Sequence, residues 1–216
     1  MITISEIVKQ TIRNKPFIEE ALQIDIINLS SYARLLKSDI EKQLLKSVEI
    51  GAIIMALKRV KTSMKMNDEK NMCFNQRPEI ILRSQLVEIT YENSDGLIEK
   101  VGKLFHPSTY TKDLFCAITQ GVFETALIIN TSFYPQLKKI FYKEKLIAWL
   151  ENLTAITIRL PKENVQTPGV YYRILKALAW NNVNVIDVVS TNTEFTILLH
   201  ENEVEAGFSA IKKIFK

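Results

Sequence analysis

Residues 167–191 read Thr167-Pro-Gly-Val-Tyr-Tyr-Arg-Ile-Leu-Lys-Ala-Leu-Ala-Trp-Asn-Asn-Val-Asn-Val-Ile-Asp-Val-Val-Ser-Thr191. The stretch opens with a proline–glycine turn, continues as a helical segment over 171–180 and ends in a β-prone run over 183–189. Apolar residues predict a strand on either side of it, at 156–160 and 195–199, and then a last helix at 206–215. Residues 154–216 are therefore predicted to form a β-α-β-β-α unit.

A similar order of elements comes before this unit, with one more strand at its end. The elements are a strand at 86–91, a turn at 93–96, a helix at 97–105, a β-prone run at 114–129 broken at Gln120-Gly121, a helix that Ser132 can cap, and a strand at 146–149. Residues 79–153 are therefore predicted to form a β-α-β-β-α-β unit.

Two short sequences recur at almost the same spacing. Lys138-Lys-Ile-Phe141 returns as Lys212-Lys-Ile-Phe215, 74 residues later, and Asp95-Gly96 returns as Pro168-Gly169, 73 residues later. Because the two offsets agree within one residue, the sequence predicts an internal repeat.

The second unit, as its pattern stands, is one strand short. An apolar run, Ile80-Ile-Leu82, lies just before the first unit and has no assigned partner. An unpaired β-prone segment would be an exposed sheet edge. We therefore predict that residues 79–83 join the sheet of the second unit, or extend the strand at 86–91 so that it serves both. The two units would then interlock.

The two units resemble the tandem ACT regulatory region of aspartate kinases. The segment Ala117-Ile-Thr-Gln-Gly-Val-Phe-Glu-Thr-Ala-Leu-Ile128 is similar to that family's hairpin sequence, and Thr167-Pro-Gly-Val with 179–191 is similar to its second module. The resemblance covers residues 80–216. It implies an α+β fold with two ferredoxin-like βαββαβ ACT modules at 79–153 and 154–216, and sensing of a small molecule, most naturally an amino acid.

The kinase activity of that family does not carry over. Residues 1–78 are too few for a kinase domain, and the only glycine before residue 96 is Gly51, inside a predicted helix, so no glycine-rich phosphate loop exists there. No nucleophile–base, metal or phosphate-binding constellation can be assembled from the sequence. We therefore expect a regulatory protein that is not an enzyme and needs no cofactor.

The turn between the first strand and the first helix of each module is the predicted ligand site. A helix start presents free backbone N–H groups and the positive end of the helix dipole, which suits a carboxylate. Strand-edge groups at 184–186 are candidates for the amino group. The alternative is that the glycines only make turns. The candidate set is Asn93, Asp95, Gly96, Gln120, Thr167, Gly169, Asn184 and Ile186.

Residues 1–66 are predicted to form a helical domain that resembles the helix-turn-helix class, joined by a polar linker at 67–78. Ser38 and Glu41 have the spacing of a capping box, and Ser47 can cap the last and longest helix. Helical spacing puts Lys58, Lys61 and Lys65 on one face of that helix, and Arg59 flanks it.

This basic face leaves two functions open. It can contact DNA phosphates, which makes the chain a transcriptional regulator, or it is a solvated helix end of a domain that regulates a biosynthetic enzyme in trans. The formal net charge of +4 is too small to decide, although the excess lies within residues 1–66.

Composition limits the remaining classes. Two cysteines, Cys73 and Cys116, and two histidines are too few for a disulfide framework or a structural zinc site, so no metal is predicted. No apolar run approaches the roughly 18 residues of a membrane helix, and the start lacks a signal-peptide core. We therefore expect a cytoplasmic protein without a membrane partner.

Because open sheet edges need protection, and ACT-like modules resemble one another in pairing their sheets side by side, we also expect a homodimer.

Overall fold

The computed structural model describes residues 3–68, 72–105 and 115–215, with side chains for all of these except 65–68 and 72. The chain divides into two compact units, residues 1–72 and 73–216. The first unit contains the helices α1 (Ile4–Arg13), α2 (Pro16–Gln23), α3 (Leu29–Leu44) and α4 (Ile50–Asp68).

Helix α4 forms the centre of the helical unit. Its residues Ile53, Leu57 and Val60 are buried, and they belong to one apolar cluster with residues of α1 and α3. The spacing of these apolar residues, three or four apart, is the reason that one face of α4 faces the core. Among the described residues, no helix of either unit is long and apolar enough to cross a membrane.

Two of the predicted helix caps are wrong. Helix α3 runs without interruption through Ser38, and the Glu41 carboxylate accepts the N–H of Val48 instead, at 2.9 Å. Helix α4 begins at Ile50 rather than directly after Ser47. Both predictions rested on local spacing, and the long apolar face of α3 kept the helix continuous.

The second unit is a six-stranded antiparallel sheet with helices. Its order is β2-β3-β1-β4-β6-β5. Its strands are β1 (Ile80–Glu92), β2 (Cys116–Gln120), β3 (Glu124–Asn130), β4 (Leu146–Arg159), β5 (Asp187–Ser190) and β6 (Glu194–His200), and its helices are α5 (Leu97–Leu104), α6 (Tyr134–Ile140), α7 (Val170–Trp180) and α8 (Val204–Ile214).

Strands β1 and β4 are each shared by two halves of the sheet. The second half of β1 pairs with β3, whereas its first half, Ile80 to Arg83, pairs only with β4, opposite 155–158. The later part of β4 in turn pairs with β6. The first repeat is defined as residues 86–92 of β1, followed by α5, β2, β3, α6 and residues 146–150 of β4. The second repeat is defined as residues 153–159 of β4, followed by α7, β5, β6 and α8, together with residues 80–83 of β1. The predicted use of residues 79–83 by the second repeat is confirmed.

Several predicted boundaries shift in this arrangement. The strands expected at 146–149 and 156–160 are one strand, so a division at 153/154 falls inside β4. The strand expected from Val183 begins only at Asp187. A one-turn 3-10 helix, not a side-chain cap at Ser132, precedes α6. Within the expected linker, Cys73 and Phe74 are buried in the core of the second repeat.

The midpoint of both long strands is irregular in the same way. Gln85 and Asn152 have positive φ angles of 58°, and the register of the β1–β4 ladder shifts beside them. The face away from the helices is nevertheless buried: Leu86 and Leu153 are fully covered there. Residues near opposite edges of the sheet, Phe115 and Val189, pack against this same cluster. Residues from both sides of the sheet therefore contribute to one apolar cluster on this face.

The two repeats end with matching hydrogen bonds but opposite charges. In the first repeat, Glu92 N–H donates to the carbonyl of Lys145, and the two side chains form an ion pair. In the second, Arg159 N–H donates to the carbonyl of Glu79, and these side chains pair at 3.3 Å. Lys145 and Glu79 are thus equivalent positions, which allows residues of the two repeats to be compared one by one.

Candidate ligand-binding site

The first predicted turn is held by Asn93, whose side chain joins two strand ends. Its amide nitrogen donates to the Gly121 carbonyl at 2.9 Å, and its amide oxygen accepts the Thr125 hydroxyl at 2.6 Å. Asn93 therefore ties the end of β1 to the β2–β3 hairpin. Both polar atoms of its side chain are used inside the chain, so its role is structural in this arrangement.

The polar groups beside the first turn are occupied by a carboxylate of the same chain. The hydroxyl of Ser94 donates to Glu144 at 2.6 Å, and the ammonium group of Lys100 forms an ion pair with the same side chain. The hydrogen bond from Lys100, and then that from Ser94, hold the pKa of Glu144 below its usual range. The start of α5 thus already has an anion beside it.

The second predicted turn has a different backbone. Gly169 has a φ of +86°, which an L-residue rarely adopts, and α7 begins directly after it without a capping side chain. Gly96, at the equivalent place in the first repeat, has an ordinary φ of −93°. The hydroxyl of Thr167 donates to the Glu163 carbonyl at 2.8 Å. The glycine is therefore required by the backbone at 169 and not at 96.

The second repeat has no counterpart of Glu144. Because Glu79 is equivalent to Lys145, Pro78 stands where the first repeat has Glu144. The residue equivalent to Lys100, by its place in the helix, is Arg173, whose guanidinium lies 4.2 Å from the ring centre of Phe74. A cation near the start of α7 therefore faces an aromatic ring rather than a carboxylate.

The other predicted site residues lie apart from these turns. Asp95 and Gln120 are exposed in the first repeat. The N–H of Asn184 donates to Glu203 at 3.0 Å, and the N–H of Ile186 donates to the Leu198 carbonyl at 2.9 Å. These two residues precede β5, at the end of the sheet where α7 finishes. One chain does not bring them together with the turn that starts α7.

The predicted basic face of α4 is only partly free. Lys58 and Arg59 are exposed, whereas the ammonium group of Lys61 pairs with Asp25. The side chain of Lys65 lies outside the described residues. The ion pair was not expected because Asp25 is distant in sequence and lies in a turn with a positive φ of 64°.

Sequence reasoning missed Glu144 and Arg173. Glu144 lies between α6 and β4, fifty residues after Ser94, and nothing local marks it. Arg173 had a usable signal, since its offset from Lys100 is 73, the same as that between the two glycine turns. Aligning the repeats position by position identifies it.

The two cysteines lie in different parts of the second unit. Cys73 is buried with its sulfur 3.7 Å from the Thr167 hydroxyl, and burial raises the pKa of the Cys116 thiol to about 11. Both are free thiols, and the raised pKa disfavours the reactive thiolate form of Cys116 at neutral pH. The described residues contain no group of three or more potential metal ligands.

Comparison with solved structures identifies the fold class of the sheet-containing unit. The chain is similar to the aspartate kinase of Clostridium acetobutylicum, with a TM-score of 0.54 and 16% identity over 63% of this chain and 34% of that one. It is similar to the ligand-free regulatory subunit of aspartate kinase from Thermus thermophilus, with a TM-score of 0.53 and 15% identity over 63% of this chain and 97% of that one. The neighbours in structure are regulatory, ACT-type domains of aspartate kinases.

The likeness concerns the fold, since the identities are low. The chain spans about a third of the length of the Clostridium enzyme but nearly all of the Thermus regulatory subunit. No family model matches the chain, and no curated protein matches it. The antiparallel sheet with helices is thus similar in fold to aspartate kinase regulatory domains, and the comparisons cover about 63% of this chain.

Proposed function

We propose that this chain is a ligand-responsive regulatory protein, not an enzyme, whose residues 73–216 form two ACT-like modules that sense an amino acid. The observation that carries the proposal is the interlocked sheet, together with its likeness in fold to a regulatory subunit of aspartate kinase. The ligand changes the relative stability of two arrangements, as any effector must, by its differential affinity for them.

The geometry favours the second module as the working site. In the first module Glu144 already occupies the polar groups at the start of α5. In the second, Pro78 stands in place of that carboxylate, and α7 begins after Gly169 without a side-chain cap. A free carboxylate of an amino acid fits this start, because the helix dipole and Arg173 both favour a negative charge there.

Thermal-shift measurements with each of the twenty amino acids test the proposal. An amino acid that binds the folded state is expected to raise the melting temperature, with about 2.7 kcal/mol of added stability at 100 times its dissociation constant. A chain that shows no shift with any of the twenty at millimolar concentration would speak against amino-acid sensing.

Pro78→Glu gives a sharper test of the site. The substitution installs in the second repeat the carboxylate that Glu144 supplies in the first, so it is expected to occupy the start of α7 and reduce amino-acid affinity at least tenfold. Pro78→Gln is the matched control, because it loses the same ring and adds a side chain of the same length without charge. Equal affinities for the two variants would place the ligand elsewhere.

For the helical unit, we propose docking to a partner protein, an enzyme regulated in trans, rather than to DNA. Six large apolar side chains of this unit are at least half exposed, which is more typical of protein-binding surfaces than of DNA-binding ones. These residues are Phe17, Ile24, Ile26, Leu35, Leu45 and Met55. The pairing of Lys61 with Asp25 also removes one cation from the face predicted to meet phosphates.

Salt-dependent retention on DNA separates the two functions. DNA binding through α4 predicts that replacing Lys58, Lys61 and Lys65 by Ala flattens the salt slope by about 2.7 units, at roughly 0.9 per phosphate contact. The docking proposal predicts weak retention with an unchanged slope in the triple variant. A steep slope that the variant flattens would establish the DNA-binding alternative.

A further inference from the structure

A cleft of about 240 Å³ opens in the second repeat, between the start of β1 and helix α8. Its walls combine apolar and aromatic groups with two cations. The lining residues are Arg77, Pro78, Ile80, Phe208, Lys212 and Phe215. None of these six side chains carries a carboxylate.

The two cations at this cleft have no charged partner in the part of the chain that the structure describes. Arg77 and Lys212 are both exposed, and neither forms an ion pair or a side-chain hydrogen bond with the described residues. Glu79, two residues after Arg77, is paired with Arg159 at 3.3 Å. The cleft is therefore positively charged at its rim while its acidic neighbour is neutralised.

The aromatic side of the cleft is held in place by packing against Phe74. Phe215 is buried and its ring stacks on that of Phe74, with 5.2 Å between centroids and 29° between planes. Arg173 lies over the same Phe74 ring. A ring packed in this way keeps one orientation, so the apolar wall is already formed without a ligand.

The first repeat has a larger side chain at one strand position in this part of the sheet. Leu82 takes the register position of Trp149, since it pairs opposite Ile156 as Trp149 pairs opposite Ile89. Trp149 packs edge-on against Tyr134, with 4.1 Å between ring centroids. The second repeat therefore has an aliphatic side chain where the first has an indole ring in an aromatic pair.

We propose that this cleft binds a small carboxylate with an aromatic body and no ammonium group. Arg77 and Lys212 would pair with the carboxylate, and Phe208, Ile80 and Phe215 would cover the ring. The lining offers no acidic side chain to an ammonium group. The volume lies below the roughly 300–1,000 Å³ typical of drug-sized pockets, so one ring and one short acidic arm fill it.

This site adjoins the proposed amino-acid site at Pro78, which lines the cleft, but it uses different binding groups. The amino-acid site uses the backbone at the start of α7, whereas the cleft uses side chains of α8 and the segment before β1. Phenylacetate, which has no ammonium group, is therefore the probe, and its binding can succeed or fail independently of the amino-acid screen.

Titration of the full chain by NMR, following backbone amides, tests the proposal. Phenylacetate is expected to shift the amides of Ile80, Phe208 and Phe215, and to bind at least tenfold more tightly than acetate, 2-phenylethanol or phenethylamine. The first comparison tests the aromatic wall, and the other two test the charge. No shift at these amides with phenylacetate at 20 mM (about the weakest useful range for so small a ligand), or equal binding of 2-phenylethanol, would overturn the proposal.

Charge-removing variants locate the site. Arg77→Gln and Lys212→Gln are each expected to weaken phenylacetate binding at least threefold, and the double variant at least tenfold. Lys213→Gln, on the same helix and outside the lining, and Lys138→Gln, at the equivalent place in the first repeat, are expected to bind as the unchanged chain does. The altered residues are exposed, so folding should be preserved, which the amide spectrum verifies. Unchanged binding in the double variant would contradict the assignment.

Discussion

At the scale of single residues, two helical glycines show how packing decides the effect of the same substitution. A Cβ on Gly207 of α8 would lie 2.6 Å from a methyl of Leu199, which is fully buried. A Cβ on Gly102 of α5 would meet nothing within 4 Å. The first glycine is therefore required by close helix–sheet packing and the second is not.

Alanine substitution at the two positions is expected to have opposite signs. Gly207→Ala should destabilise the chain by about 1–2 kcal/mol, because the strain of overpacking exceeds the gain in helix propensity. Gly102→Ala should stabilise it by up to about 1 kcal/mol. Urea unfolding of both variants measures this, and a stabilised Gly207→Ala would show that Leu199 moves aside freely.

Glu88 is the residue whose ionisation should control stability near neutral pH. Its carboxylate oxygen Oε2 is buried and finds no hydrogen-bond partner among the described residues. Burial, and then the nearby charge of Asp187, raise its pKa from about 4.5 to about 7. Because the folded state binds the proton more tightly, its contribution to stability is fully present below pH 4.5 and is lost as the pH rises through 7.

Glu88→Gln is therefore expected to leave stability unchanged at pH 4 relative to the unchanged chain and to raise it by roughly 1–3 kcal/mol at pH 8. Glu194→Gln, at an exposed strand position, serves as the control and should show no such difference. Unfolding free energies at the two pH values test this. A difference that does not vary with pH would contradict the assignment of the shifted group.

At the scale of elements, strand β1 is what joins the two repeats. Arg159 N–H donates to the Glu79 carbonyl, so by the alternation of an antiparallel ladder the N–H of Ile81 points to Thr157 and that of Leu82 points to the open edge. Both side chains are about half exposed, at 50% and 45%. Neighbouring residues thus differ in hydrogen bonding but little in burial.

Proline substitution separates the two positions. Ile81→Pro removes a ladder bond and should cost about 3 kcal/mol, whereas Leu82→Pro should cost clearly less, since its N–H has no partner in the sheet. Hydrogen exchange should increase for Ile81→Pro in β6 as well as β4, although neither strand is altered. Loss of protection confined to residues beside the substitution would mean that this segment is not an integral strand of the second repeat.

The periodicity of apolar residues predicted which segments are helices and which are strands, but it did not predict the residues at which they begin and end. The alternation in 156–160 and the helical spacing in 97–105 predicted elements that are present, because these patterns reflect burial of one face. The caps predicted at Ser38 and Ser47 are wrong because several residues can cap: the capping box forms at Thr3 and Glu6, and not at Ser38 and Glu41. The strands predicted at 146–149 and 156–160 form the single strand β4 because both pair with β1. This pairing joins residues that are distant in sequence, so a short stretch of sequence does not reveal it.

The sequence predicted only those parts of the candidate site that recur at the spacing of the internal repeat. The turns at 93–96 and 167–169 were found by their offset, and the two helices do begin after them. Glu144 in the first turn, and the separation of Asn184 and Ile186 from the second, arise from tertiary contacts. Sequence spacing along a strand or helix cannot supply such contacts.

At the scale of the whole molecule, the second unit should unfold as one body. Both repeats depend on β1 and β4, so neither can lose its sheet without damaging the other. A fragment of residues 73–216 is expected to fold and to show a single calorimetric transition, with calorimetric and van't Hoff enthalpies that agree. Two resolved transitions in this fragment would mean that the repeats are independent.

The open sheet edges are consistent with the homodimer that the sequence leads us to expect. The outer strands β2 and β5, and the segments Ile80 to Arg83 and Leu146 to Leu150, each lack a neighbour on one side within the described sheet. Exposed apolar residues such as Ile147 lie on these segments. Light scattering at micromolar concentration should give about 50 kDa, twice the 24.8 kDa of one chain; a mass near 25 kDa would contradict dimerisation.

Isothermal titration of the full chain, with the amino acid that gives the largest thermal shift, measures whether the second module alone binds an amino acid. One site per chain is expected, because Glu144 occupies the first module and leaves only the second open. Binding is expected to be lost in Pro78→Glu and retained in Pro78→Gln. Two equivalent sites per chain, or no heat of binding for any amino acid, would contradict this expectation.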